Sequence, residues 1–145
     1  MTATASNNTA PQRTILVVED NAAVRELAVQ MLTMHGFGVL EASDATSGLS
    51  MFREHPEIDL VFTDVIMPGG ISGIEMSKQI LAEQPHALIL LATGYQEKGQ
   101  ALQQHAARSE NIAAVSMPYD VNAIPELVES MLARSARHRG NSAAG

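Results

Sequence analysis

Short unbroken apolar runs alternate along the chain with longer segments in which apolar positions return every three or four residues. Thr14–Val18 (Thr-Ile-Leu-Val-Val) is continuous and β-branched, the pattern of a strand buried on both faces. Asn21 then caps a helix to about His35, with Val24, Leu27, Ala28, Met31 and Leu32 on one face, and Gly36 ends it. Phe37–Glu41 reads as a second strand. Asp44 opens a helix to about Glu54, which Pro56 closes. Ile58–Thr63 is a third strand, followed by the turn Pro68-Gly69-Gly70. Ser72 starts a helix to about Gln84, before Pro85, and Ala87–Ala92 is a fourth strand. Gln96–Ala107 carries a weaker helical period, Ile112–Ser116 is a fifth strand, and Asp120 caps a last helix to about Arg134.

Five strands alternating with five helices predict an α/β domain whose parallel sheet is covered on both faces. Right-handed crossovers leave few topologies, and a flavodoxin-like (βα)5 fold with strand order 2-1-3-4-5 is the expectation. Ligands of such sheets bind outside the carboxyl ends of the strands, near the switch point. Met1–Gln12, rich in Thr, Ala, Ser and Asn, reads as a flexible lead-in, and Ser135–Gly145 as a similar tail. The domain is expected over residues 13–134, with no repeat and no linker inside it.

Composition narrows the chemistry. The 145 residues suit one domain, and 46% hydrophobic with 17% charged residues is a globular balance. Aromatic residues are only 3%, so Val, Ile, Leu, Met and Ala must fill the core, and Met31, Met34, Met76 and Met131 at helical spacing read as filler. Sixteen acidic against nine basic residues give a net charge of −7, which disfavours direct DNA binding by a general basic surface. Without cysteine there is no disulfide, thiolate metal site or cysteine nucleophile. No apolar run approaches the ~20 residues of a membrane span, and a soluble, cytoplasmic protein is expected.

Chemistry-bearing residues gather at the predicted strand ends. The first strand ends in Glu19-Asp20, the third in Asp64 and the fourth in Ala92-Thr93-Gly94. In the expected order the first and third strands are neighbours, so three carboxylates converge. Crowded carboxylates raise one another's pKa values unless a cation neutralises them. An all-oxygen set suits a hard cation such as Mg²⁺, which also accepts phosphate oxygens. A carboxylate beside Mg²⁺ can attack phosphorus to give an aspartyl phosphate. Asp20 alone would pass for a helix cap, whereas Asp64 follows an apolar strand and starts no helix. The five histidines are scattered, without ligand spacing, and Gly36-Phe37-Gly38 precedes a strand rather than opening a helix, so it is no dinucleotide loop. A phosphatase of the haloacid dehalogenase type would want a second Asp two positions after Asp64, where Ile66 stands.

Residues 13–134 resemble the receiver domains of response regulators and hybrid histidine kinases. Ile15-Leu-Val-Val-Glu19-Asp20-Asn21 resembles the first strand and acidic pair. Asp64-Val-Ile-Met67-Pro68 resembles the phosphoacceptor segment, and Gly73 the glycine that opens the third helix. The loop Pro68–Gly73 is one residue longer than the commonest receiver loop, a form shared by receivers of hybrid kinases. The resemblance implies that Asp64 accepts the phosphoryl group. Asp20 is then a direct Mg²⁺ ligand, Glu19 a ligand acting mainly through water, and the Ile66 backbone carbonyl completes the protein's share of the metal shell. The donor would be a phosphohistidine on a histidine kinase or histidine phosphotransfer protein.

Three positions depart from the family pattern. Met117, before Pro118, stands where receivers usually carry a Lys that contacts the phosphoryl group. Ala92 falls at the usual hydroxyl position with Thr93 one place later, and Thr93 is taken as the hydroxyl donor. Ala114 stands where the switch aromatic is usual, with Tyr95 and Tyr119 as the nearby aromatics. The expected function is that of a single-domain response regulator. It catalyses only its own phosphorylation and dephosphorylation, and signals by binding a downstream protein through the fourth helix, fifth strand and fifth helix. It would be a monomer or weak homodimer. The alternative is a pseudo-receiver, a protein-interaction module independent of phosphorylation, which Met117 and Ala114 motivate.

Overall fold

The computed structural model describes residues 12–67, 70–93, 111–116 and 120–144, the side chains of Thr93, Ser116, Val121 and 136–144 excepted. Five strands, β1 (Thr14–Val18), β2 (Gly38–Ala42), β3 (Ile58–Asp64), β4 (Leu88–Thr93) and β5 (Ile112–Ser116), form one parallel sheet in the order β2-β1-β3-β4-β5. The described α-helices are α1 (Ala22–Met34), α2 (Ala45–Glu54), α3 (Gly73–Glu83) and α4 (Ile124–Ala144). The strand order is the expected one. The helix expected over Gln96–Ala107 lies outside the described residues.

Ile15–Val18 are at most 1% exposed because both faces of the strand are covered. Successive side chains point to opposite faces. Leu16 and Val18 join Val61, Ile89, Leu91, Met76 and Ile80 in one apolar cluster. Ile15 and Val17 join Leu60, Phe62, Leu90, Leu32, Val128 and Met131 in the other. Each such side chain contributes about 1.5–3 kcal/mol by leaving water.

Helix ends follow local side-chain chemistry. The Asn21 side chain accepts the Val24 N–H at 2.9 Å, Asp44 accepts the Ser47 N–H at 2.7 Å, and Ser72 accepts the Glu75 N–H at 3.1 Å. Gly36, at φ 95°, ends α1 in the left-handed conformation. Its N–H donates to the Thr33 carbonyl at 2.9 Å and the Phe37 N–H donates to the Leu32 carbonyl at 3.1 Å, a Schellman motif sealed by buried Leu32 and Phe37.

Some expectations are corrected. Leu27 is 49% exposed, because the buried stripe of α1 is centred on Ala28 and Leu32 and leans towards Val29, about 100° per residue away from Leu27. Met34 is 80% exposed rather than core filler, since it lies about 200° around the helix from Leu32. Asp120 does not cap an α-helix directly: its side chain accepts the Asn122 N–H at 2.9 Å ahead of a 3₁₀ turn, Val121–Ala123. The last helix passes Arg134 and reaches Ala144, so residues 135–144 of the expected flexible tail are helical. Ala133, Arg134, Ala136 and Arg137 are strong helix formers, no proline follows them, and Gly140 alone costs only about 1 kcal/mol.

One irregularity aims the sheet's acidic end. Between β1 and β3 the register shifts, with Thr14 opposite Ile58 but Ile15 opposite Leu60. Asp59 is the extra residue of this bulge, and its carboxylate accepts the Thr14 N–H at 2.9 Å. From there Val18 pairs with Thr63, so Glu19 follows β1 where Asp64 closes β3. Without the shift Thr63 would stand beside Glu19.

Candidate metal and phosphoryl site

β1 and β3 are adjacent and parallel, so the residues at their carboxyl ends share one end of the sheet. Glu19, Asp20 and Asp64 each offer a carboxylate oxygen within 4.8 Å of the others. Glu19 is buried, Asp64 is partly covered and Asp20 is exposed. The group is therefore open to solvent on one side and walled by the sheet on the other.

Glu19 is tethered at three points. Its N–H donates to the Ala42 carbonyl at 3.1 Å, its carboxylate Oε2 accepts the Asn21 N–H at 3.0 Å, and its carbonyl accepts from Arg25 Nη1 at 2.7 Å. Asp64 is held at one oxygen, where Oδ1 accepts the Val65 N–H at 3.1 Å. Its main chain is fixed as well: the Thr63 hydroxyl donates to the Asp64 carbonyl at 2.9 Å and the Val65 N–H donates to the Ala92 carbonyl at 3.0 Å. Gly73 lies against this segment, with its N–H on the Val65 carbonyl at 2.8 Å. A Cβ at Gly73 would overlap the Asp64 carbonyl, so only glycine lets α3 begin so close to β3.

The electrostatics follow from crowding and burial. Burial pushes the Glu19 carboxyl up to about 7; the Asn21 amide opposes this, and the charges of Asp64 and Asp20 reinforce it. Asp64 is also raised, first by burial and then by the Asp20 charge, against the Val65 amide and a hydrogen bond shared with Glu19. A divalent cation would relieve this repulsion. Three clustered carboxylates, one exposed and two held by backbone amides, are a hard, all-oxygen donor set suited to Mg²⁺.

The structure thus brings together Glu19, Asp20 and Asp64 of the residues singled out from sequence. Ile66 lies in the irregular segment just past β3, its side chain 47% exposed. Thr93 is the last residue of β4, opposite Ser116 in register, and its side chain lies outside the described residues. Met117, Tyr95 and Tyr119 lie outside them too. Ala114 is an exposed residue of β5, opposite Leu91. Sequence reading missed Arg25 and Thr63. Arg25 stands on α1 one turn past its capping Asn21, a spacing that returns a long side chain towards the end of β1. No sequence pattern marks Thr63, an ordinary strand residue.

The family of response regulator receiver domains matches residues 15–129. The chain is 42% identical over 71 residues to the phosphate regulon transcriptional regulatory protein PhoB of Escherichia coli, covering 49% of this chain and 30% of PhoB. It is 28% identical over 120 residues to the sensor kinase CckA of Brucella abortus, covering 82% of this chain and 12% of CckA. Both matches span well under half the length of the curated relative. Among solved structures, the receiver domain of the hybrid histidine kinase CckA is 32% identical with a TM-score of 0.67, covering 82% of this chain and 98% of that one. A response regulator receiver domain protein from Clostridium thermocellum is 26% identical with a TM-score of 0.77, covering 86% and 97%.

Proposed function

The chain belongs to the response regulator receiver domain family of two-component signalling, and from that premise we propose that it takes a phosphoryl group from a phosphohistidine onto Asp64. The observation that carries this reading is the placement of Asp64 at the carboxyl end of β3 with Glu19 and Asp20 within 4.8 Å. We take residues 13–134 as the unit that does so.

Asp20, Asp64 and the backbone carbonyl of Ile66 would hold Mg²⁺ directly, with Glu19 acting mainly through water. When bound, the cation neutralises charge on the carboxylates and on the transferring group. The remaining work belongs to the chain. The Val65 amide orients the Asp64 carboxylate. A carboxylate oxygen of Asp64 attacks phosphorus, the new O–P bond forms as the N–P bond to histidine breaks, and the leaving imidazole nitrogen keeps the electron pair. Gly73 and Thr63 keep the Asp64 main chain in place while this happens. Hydrolysis of the aspartyl phosphate resets the site, so the domain acts on itself and has no external substrate to turn over.

The donor is a histidine kinase or histidine phosphotransfer protein, and the signal leaves by contact with a downstream protein. Met117 supplies neither charge nor hydrogen-bond donor to the phosphoryl group. That places more of the charge neutralisation on Mg²⁺ and loosens the link between phosphorylation and the segment after β5. Ala114 removes the usual aromatic from that link. Among the described residues no helix is long and apolar enough to cross a membrane.

The site is located by trapping. After incubation with Mg²⁺ and acetyl phosphate, borohydride reduction should convert Asp64 to homoserine in the peptide that carries it. Reduction at another acidic residue, or at none after treatment with a phosphorylated histidine kinase as well, would remove Asp64 from this role.

A further inference from the structure

Arg25 projects from α1 and touches two other elements. Its Nη1 donates to the Glu19 carbonyl at 2.7 Å, and its Nε donates to Glu41 Oε1, at the end of β2, at 3.2 Å. The side chain is only 21% exposed, while Glu41 is 50% exposed. An exposed ion pair contributes little by itself. The short charge-assisted bond to a strand-end carbonyl is the stronger of the two contacts.

That carbonyl governs where the metal ligands go. The peptide between Glu19 and Asp20 is planar, so holding the Glu19 oxygen fixes the Asp20 nitrogen and the direction in which Asp20 leaves the strand. The Glu19 N–H is anchored on Ala42 and its carboxylate on the Asn21 amide. Arg25 supplies the third anchor. The Arg25 N–H in turn donates to the Asn21 carbonyl at 2.9 Å, closing a compact loop around the acidic pair.

We propose that Arg25 is a positioning residue for the cation site: by gripping the Glu19 carbonyl and Glu41 together it presets the Glu19-Asp20 loop in the geometry that binds Mg²⁺. The proposal rests on the reading of Glu19, Asp20 and Asp64 as a Mg²⁺ site. It assigns Arg25 no contact with the phosphoryl group.

The test is Mg²⁺ affinity by titration calorimetry, the chain having no Trp to report binding. The full chain, Arg25→Met, Arg25→Lys, Arg53→Met and Asp20→Asn are compared well below their melting temperatures, with circular dichroism confirming the fold. Arg53, near the end of α2, pairs with Glu83 at the end of α3, so Arg53→Met controls for the loss of one cation and one ion pair. Arg25→Met should weaken Mg²⁺ about tenfold, as loss of a group that orients a metal ligand does. Arg25→Lys, which keeps the charge but not the two-pronged reach, should recover part of the loss, and Arg53→Met should bind normally. Native affinity in Arg25→Met or in Arg25→Lys, with binding lost in Asp20→Asn, would overturn the role of Arg25 and leave the metal site standing. Equal weakening in Arg53→Met would also overturn it, because bulk charge would then explain the effect. No Mg²⁺ binding by the unaltered chain would overturn the metal site itself, and the role of Arg25 with it.

Discussion

Glu19 is the residue on which the charge of the site turns. With its carboxyl raised to about 7, mainly by burial, it is partly protonated at neutral pH when no cation is present. On the proposed reading, Mg²⁺ would compete with that proton. Affinity for Mg²⁺ should therefore fall as pH drops below about 7, by at most ~tenfold per unit for this one group. Glu19→Gln should flatten that dependence and weaken binding at pH 8, both read by calorimetry. A native pH profile unchanged in Glu19→Gln would take Glu19 out of the metal's environment. At this scale the acidic residues were legible in the sequence, because each ends a recognisable apolar run. Arg25 was missed although its spacing from Asn21 returns it to the end of β1; its second contact, Glu41, sixteen residues away, is brought near only by the pairing of β1 with β2.

At the scale of elements, the site depends on how closely α3 meets β3. Gly73→Ala places a methyl group on the Asp64 main chain, which cannot yield as a flexible side chain can. It should cost about 2–3 kcal/mol by denaturant unfolding and weaken Mg²⁺ binding with it. Ser72→Ala removes only the cap of the same helix and should cost about 1 kcal/mol, with Mg²⁺ affinity nearly unchanged. Equal effects of the two on Mg²⁺ affinity would show that helix stability, not close approach, matters. Strands and caps were readable because continuous apolar runs and Asn21, Asp44 and Ser72 act locally. Which way α1 leans was not, since the apolar pattern contains Leu27 and Val29 alike and only the docked sheet separates them. The length of α4 was missed because polar, arginine-rich sequence carries no apolar period, although its helix propensity is high. The bulge at Asp59, which sets Glu19 beside Asp64, also left no mark in the pattern.

Across the whole molecule, two sets of carboxylates pull stability in opposite directions with pH. Asp44, Glu57 and Glu83 are lowered by hydrogen bonds, from the Ser47 amide for Asp44, its own backbone amide and then His55 for Glu57, and Arg53 for Glu83. Their contribution is present above the ordinary carboxylate range and is lost as pH falls through their depressed values. Glu19 and Asp64 are raised, so the folded chain holds their protons more tightly than the unfolded chain. Their contribution is full below the ordinary range and is lost as pH rises through about 7 for Glu19. The metal-free protein should accordingly be most stable at about pH 5, with the melting temperature declining towards pH 8. Mg²⁺ at a hundred times its Kd should add about 2.7 kcal/mol at pH 8 and progressively less at lower pH. A metal-free melting temperature that rises from pH 5 to pH 8 would contradict the crowded, partly buried site. The most direct test of the central claim is the intact mass of the protein after incubation with acetyl phosphate, with and without Mg²⁺, beside Asp64→Asn. One phosphoryl adduct that requires both Mg²⁺ and Asp64 is the predicted result. An adduct that persists in Asp64→Asn, or forms equally without Mg²⁺, would contradict it.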